Sequence, residues 1–299
     1  MKAKNVFIAT LPRSGSTLVG MILGAHSQIC HIGESAYWSK MNVQAAKCCC
    51  GAIRCQTLLK ISSIISAFPN EIEGIHTACG MIDSMEEPDK VRHSLSLSAP
   101  IFSQDMLIPA LQMCRIGLEK IADATRTVFG KEIVVENSKY LSIAESLLDQ
   151  NGNWKVIVVT RDPRGVASCN KEAGERKGVS RPVKDKINLF LSFANRATKM
   201  IQRDNVLLVR YEDLCKNTFE TLGHMCQFLE VSFEERMLEF KKYKGHLLMG
   251  NYMMHDSNQK VQEDLRWRNL LSQEEKRLFM RDDLIQAYAR IGYDLKTDF

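Results

Sequence analysis

The sequence predicts an α/β fold, a parallel sheet with helices on both faces. Three observations point to it. Apolar, β-branched runs recur at residues 6–10, 133–135, 154–160 and 206–209, and helical patterns lie between them, as in successive βα units. Apart from Lys155 and the closing Thr10 and Thr160, the runs are apolar rather than alternating, which suits strands covered on both sides. Three of them lead into a cation, and the carboxyl edge of such a sheet is where ligands bind.

Val6-Phe7-Ile8-Ala9-Thr10 has the length and branching of a buried strand. A loop, Leu11-Pro12-Arg13-Ser14-Gly15-Ser16-Thr17, leads from it to the helical pattern Leu18-Val19-Gly20-Met21-Ile22-Leu23. Strand, small-residue loop and helix make a phosphate cradle, because backbone N–H groups and the helix N-terminus converge on one anion. The loop is not a Walker A sequence, which requires G-x-x-x-x-G-K-[ST]. The lysine is absent and the cation is Arg13, two residues before the glycine, so the loop suits a nucleotide phosphate other than the γ-phosphate of ATP or GTP. Serines that only cap the helix would give the same local pattern.

An apolar stretch at residues 29–32 returns the chain to the sheet and delivers Glu34 to its rim. Residues from about 40 to 130 fit no strand pattern. They read as a helical insertion with a polar connector around residues 86–98. Within it Cys48-Cys49-Cys50 and Cys55 lack a regularly spaced partner set; His76 and Cys79 are the nearest candidates, and packed or free thiols are expected rather than a metal.

The run at 133–135 continues into Glu136-Asn137-Ser138-Lys139, placing Lys139 at a strand's carboxyl end before a helix at 141–148. Trp154 to Thr160 is the clearest strand. Asp162 then caps a helix and Pro163 fills its first position. Arg161 sits at the strand's end, and Ser168 follows one to two turns into the helix, near enough to share an anion. Residues 171–186 hold six basic and three acidic side chains, a solvated loop or a charged flap over the site. Arg210-Tyr211-Glu212 reads as a buried polar network at a strand end. A final helix is expected over 274–291, with Leu278, Phe279, Leu284, Ile285, Tyr288 and Ile291 as its core stripe.

With 299 residues, 45% of them apolar and 25% charged, the chain has room for one large α/β domain over 1–299. A net charge of +5 fits an anionic substrate and gives no case for nucleic acid. No apolar run is long enough for a membrane anchor. Met1-Lys2-Ala3-Lys4 leads directly into the first strand, without a signal-peptide pattern. The ten cysteines show no pairing framework, so the expected location is cytoplasmic.

Taken together, P-R-S-G-S-T at 12–17, G-E at 33–34, N-S-K at 137–139, R-D-P-R-G-V-A-S at 161–168 and R-Y-E-D-L at 210–214 resemble a known family. G-N at 250–251 and R-W-R at 266–268 add to the match. The family is the sulfotransferases that use 3'-phosphoadenosine 5'-phosphosulfate (PAPS), closest to the carbohydrate and tyrosylprotein branch and its bacterial relatives. The resemblance implies a P-loop-NTPase-like sheet with an acceptor-facing insertion. It implies that Arg13, Ser14, Gly15, Ser16 and Thr17 hold the 5'-phosphosulfate, and that Arg161 and Ser168 hold the 3'-phosphate. It also implies that Lys139 lies near the transferring group and that Glu34 is the catalytic base. Two departures stand out. Many relatives have aspartate where Glu136 stands, and an arginine shortly after the tail's G-N, where Tyr252-Met253-Met254-His255 follow here. Lys260 and Arg266 are the remaining tail candidates for the nucleotide.

The chemistry is coherent on its own terms. Sulfuryl transfer is an in-line displacement related to phosphoryl transfer. Arg13, Lys139 and a helix N-terminus supply the positive charge, so no metal is required. The acceptor is a hydroxyl on a sugar, lipid, tyrosine or small metabolite, or an amine. The alternatives are a P-loop kinase or NTPase, disfavoured by the missing lysine, and a nucleotide-binding protein without catalysis, disfavoured by the presence of Glu34 and Arg13.

Overall fold

The first strand, β1 (Asn5–Thr10), is buried along its whole length, with Val6, Phe7, Ile8 and Ala9 fully inaccessible. In the computed structural model of the protein, the described residues are 5–38, 47–86, 104–149, 154–243, 245–247 and 261–297. After β1 come α1 (Ser16–Gly24), β2 (Ile29–His31), α2 (Gln56–Ile65), α3 (Pro69–Glu86), α4 (Gln104–Phe129), β3 (Ile133–Lys139) and α5 (Leu141–Leu148). The chain continues with β4 (Trp154–Thr160), α6 (Pro163–Glu175), α7 (Ile187–Met200), β5 (Val206–Arg210), α8 (Tyr211–Lys216) and α9 (Thr218–Leu229). Three short helices close it: α10 (Trp267–Leu270), α11 (Gln273–Arg277) and α12 (Asp282–Ala289).

The strands form one parallel sheet in the order β2-β3-β1-β4-β5, with β1 in the middle. The α/β expectation is met. The stretch at 29–32 is itself the edge strand, with Ile29, Cys30 and His31 opposite Ile133, Val134 and Val135. The strand expected at 133–135 runs on to Lys139 because its polar residues find partners. The carboxylate of Glu136 accepts from the Ser35 and Ser138 backbone N–H groups, at 3.1 and 2.8 Å. The Asn137 side chain meets the His31 ring at 3.2 Å. Satisfied in this way, polar side chains can remain in a buried strand.

The chain forms two compact units. The first comprises Met1–Ile8, Thr17–Val156 and Phe233–Gln259; the second comprises Ala9–Ser16, Ile157–Ser232 and Lys260–Phe299. In the first, α4 packs on both α2 and α3, so the described insertion is mainly helical from residue 56 onward, after a non-helical segment at 47–55. The polar connector falls mostly outside the described residues.

In the second unit the α6 start forms as expected. Asp162 accepts from the Arg164 N–H at 2.8 Å and Pro163 takes the first turn. The expected last helix breaks in two. Arg281 is extended (ψ 131°) and pairs with Asp283 at 2.6 Å, and α12 begins there. Asp282 and Asp283 in the new first turn favour that restart. Phe279, Leu284 and Tyr288 stay buried on both sides of the break, so the apolar stripe does not reveal it. Among the described residues, no helix is long and apolar enough to cross a membrane.

Candidate active site

Two of the three predicted strand-end cations have unusual backbone conformations. Four non-glycine residues among those described have a positive φ: Arg13 (78°), Arg54 (59°), Lys139 (82°) and Glu230 (59°). Left-handed backbone disfavours side chains, and such outliers concentrate at functional sites. In the loop after β1, Arg13 alternates with Ser14 and then Gly15 at φ 97°. Alternating hands of this kind turn successive N–H groups toward one point and form an anion-binding concavity. Ser14, Ser16 and Thr17 are buried. A Cβ at Gly15 would lie 2.8 Å from the Tyr211 ring, so Tyr211 closes one side of the loop.

Arg161, directly after β4, is 7% exposed. Its guanidinium donates to the Arg13 carbonyl at 2.9 Å and to the Asp264 carbonyl at 3.1 Å. It also pairs with the Asp264 carboxylate at 3.3 Å and stacks 4.6 Å over the Tyr211 ring. Hydrogen bonding from Arg266 holds the Asp264 carboxyl well below the usual carboxylate range. Arg161 therefore does not pair with Asp162, whose carboxylate takes Arg164 instead at 2.7 Å. The Ser168 hydroxyl is buried and donates to the Gly165 carbonyl of its own helix at 3.1 Å. No direct hydrogen bond joins it to Arg161 among the described residues.

In the first unit, the Lys139 ammonium is ion-paired with the Glu34 carboxylate, and both side chains are largely buried. Gly33 (φ 80°) turns the chain after β2 and Lys139 turns it at the end of β3. The Asn137 N–H donates to the Gly33 carbonyl at 3.0 Å, which sets the two strand ends side by side. Just below the pair, burial pushes the Glu136 carboxyl up to about 7, against hydrogen bonds from Ser138 and Ser35. Burial likewise pushes the His31 imidazole down to about 4. The Glu136 Oε2, Asn137 Nδ2 and His31 Nδ1 atoms are buried without a hydrogen-bond partner.

Sequence reasoning missed Asp264 beside Arg161 in the second unit, and Glu136 and the His31–Asn137 pair on the strand end that carries Lys139 in the first. Asp264 lies 103 residues from Arg161, and no local pattern announces it. Glu136 shows in the sequence as a polar interruption at the end of an apolar run and as a departure from the family pattern, neither of which reveals its burial. Arg266 is occupied by Asp264 at 2.9 Å and Glu172 at 3.1 Å. Lys260, the G-N motif at 250–251 and residues 252–255 lie outside the described residues. The Arg210-Tyr211-Glu212 network is as expected: Glu212 accepts from the Asp162 N–H at 2.9 Å and from the Tyr293 hydroxyl at 2.7 Å. Lys171, in the basic stretch, pairs with Glu275 at 2.9 Å. The cysteine group acquires a distant partner, His246, whose ring nitrogen approaches the thiol sulfur atoms of Cys48, Cys50 and Cys55.

The family model described as "Sulfotransferase domain" matches residues 3–288. Among solved structures, the sulfotransferase domain of the Synechococcus PCC 7002 olefin synthase is similar at 16% identity and a TM-score of 0.54, over 98% of this chain and 96% of that one. The sulfotransferase domain from the curacin biosynthetic pathway is similar at 18% identity and a TM-score of 0.51, over 94% and 97%. A sulfotransferase from Mycobacterium tuberculosis H37Rv follows at 11% identity and a TM-score of 0.50, over 86% and 76%. No curated protein matches in sequence.

Proposed function

The chain belongs to the sulfotransferase domain family, and from that premise we propose that it moves the sulfuryl group of PAPS to an acceptor hydroxyl, or an amine, by in-line displacement. The observation that carries the donor assignment is the bond from Arg161 to the carbonyl of Arg13. It ties a second, buried cation to a phosphate-type loop, and a 3'-phosphate in addition to the 5'-phosphosulfate needs two such stations. PAPS supplies the activated sulfuryl group and leaves as adenosine 3',5'-bisphosphate.

Arg13 and the N–H groups of Ser14, Gly15, Ser16 and Thr17 hold the 5'-phosphosulfate. Arg161 and Ser168 hold the 3'-phosphate, Ser168 by turning its hydroxyl from the Gly165 carbonyl. Lys139 exchanges its contact with Glu34 for the oxygen between sulfur and the 5'-phosphate, and neutralises the charge that grows there as that bond breaks. Glu34, released by the same exchange, accepts the acceptor's proton as the new bond to sulfur forms. Arg13 and Lys139 supply the positive charge that a metal brings to related phosphoryl transfers. Sugar, lipid, tyrosyl and small-metabolite hydroxyls all fit this scheme. The ten free cysteines support a cytoplasmic location.

The test is transfer of labelled sulfate from PAPS across a panel of sugars, lipids, tyrosyl peptides, small alcohols and amines, with and without added magnesium. Transfer that is indifferent to magnesium is expected. Magnesium-dependent turnover of ATP would assign the chain to the kinases. Tight nucleotide binding with no transfer to any acceptor would make it a binding protein.

A further inference from the structure

We propose that Cys48, Cys50, Cys55 and His246 form a structural zinc site. Their four ligand atoms lie within 4.8 Å of one another. The Cys50 and Cys55 sulfur atoms are 3.9 Å apart, and the His246 Nδ1 is 3.1 Å from the Cys55 sulfur and 3.8 Å from that of Cys48. A regular tetrahedron around zinc, with bonds of about 2.3 Å to sulfur and 2.0–2.1 Å to nitrogen, needs S···S edges of about 3.8 Å and S···N edges of about 3.6 Å. These three distances fall within about 0.5 Å of those edges.

The backbone is built for it. Residues 47–55 fold into a tight knuckle, with Lys47 bridged to Ile53, the Gly51 N–H donating to the Cys48 carbonyl at 2.8 Å, and a turn at Gly51 with φ 91°. Arg54, one of the four left-handed non-glycine residues, sets the direction of Cys55. Cys55 is the N-cap of α2 and makes no side-chain cap bond, so its sulfur is not spent on the helix end and faces the cluster. The neighbouring thiol is otherwise engaged: Cys49 donates to the Gly245 carbonyl at 2.9 Å. That contact and the His246 ligand hold the segment 245–247 against a knuckle about 190 residues earlier. A cavity of about 440 Å³, lined in part by Cys49, Gly51 and His246, gives a path for the ion.

Three thiolates and one imidazole leave no open coordination position, so the ion holds structure and takes no part in turnover. Binding displaces the three thiol protons to solvent. The site therefore cross-links two distant segments of the first unit, as a disulfide would in an oxidising compartment.

The test measures metal content and needs no turnover assay. The full-length protein purified without chelator should carry about one zinc per chain. Cys48→Ser, Cys50→Ser, Cys55→Ser and His246→Ala should each lose it, while Cys49→Ser and His246→Cys retain it. Should the ligand variants fail to fold, cobalt titration of the metal-stripped wild type decides: thiolate-to-cobalt charge-transfer bands and tetrahedral d–d bands should saturate at one equivalent. A wild type that takes up neither metal overturns the proposal. So does zinc retention in both Cys55→Ser and His246→Ala, or a Cys50–Cys55 disulfide found by mass spectrometry in protein prepared under reducing conditions.

Discussion

Arg161 donates a hydrogen bond to the backbone carbonyl of Arg13, 148 residues before it in the chain and 2.9 Å away. One guanidinium thus has two tasks: it braces the loop after β1, and in the proposed mechanism it also faces the 3'-phosphate. Substitutions there and at Ser168 separate the two.

The protein should bind adenosine 3',5'-bisphosphate at least about tenfold more tightly than AMP, since charge-assisted hydrogen bonds contribute about 1.5–3 kcal/mol. Ser168→Ala should narrow the gap and leave AMP binding unchanged, because its only hydrogen bond among the described residues is within its own helix. Arg161→Ala should remove most of the gap and weaken AMP as well, through the loop. Calorimetry giving equal affinities for the two nucleotides in the wild type would sink the 3'-phosphate assignment.

Glu34→Gln should lower turnover by about 10²–10⁴, the usual share of a positioned base, with nucleotide affinity nearly unchanged. The amide keeps the shape beside Lys139 and loses only the ability to take a proton. Turnover and binding measured side by side distinguish the roles. If nucleotide binding falls with activity, Glu34 supports structure through Lys139. If activity is retained, another group is the base.

Gly15→Ala should destabilise the protein by about 1–2 kcal/mol, the cost of a side chain in left-handed backbone, and more if Tyr211 cannot retreat from a Cβ 2.8 Å away. Nucleotide affinity should drop with it, because Tyr211 moves against Arg161. Denaturant unfolding with and without adenosine 3',5'-bisphosphate reads both effects. An unchanged midpoint in both conditions would show that the loop's conformation is not tied to this glycine.

Glu136 gives a pH-dependent prediction. Its folded-state pKa of about 7 lies above the ordinary carboxyl value of 4.5, so between those values the unfolded chain gives up a proton that the folded chain keeps. Stability from this group is therefore lost as pH rises through that window. His31, near 4 when folded and 6.5 otherwise, acts in the opposite direction below about 6.5. Glu136→Gln removes the first effect alone. Relative to wild type it should become steadily more stable from pH 5 to 7, by about 1–3 kcal/mol, and then level off. A difference that does not change with pH would mean that Glu136 is ionised when buried.

The strands and the helix starts were legible because they depend on neighbours in sequence. Val156 to Val159 is apolar without a break, and Asp162-Pro163 announces α6. The left-handed turns at Arg13 and Lys139 could not be read, since neither residue type favours them; surrounding contacts impose them. Nor could the polar residues within β3, which owe their burial to Ser35 and His31 on the neighbouring segment. The break at Arg281 was hidden by a stripe that serves either arrangement. Lys139 and Glu34 could each be placed at a strand end, but their ion pair is a tertiary fact. His246 was out of reach for the same reason, with 191 residues between it and Cys55.

The His31 ring, held by Asn137 at the end of its reach, also fixes α1. A Cβ at Gly20 would fall 2.4 Å from that ring, and one at Gly24 2.9 Å from the His31 Cβ. The two glycines form a groove into which the imidazole fits, so α1 can neither rotate nor slide without striking it. A helix is stiff along its axis, and a stop near its middle and far end acts as a fulcrum. Substitution of Gly20, about one turn into α1, would therefore appear as a mis-aimed helix start and, in the proposed mechanism, as a weakened grip on phosphate, with every side chain proposed to hold it intact.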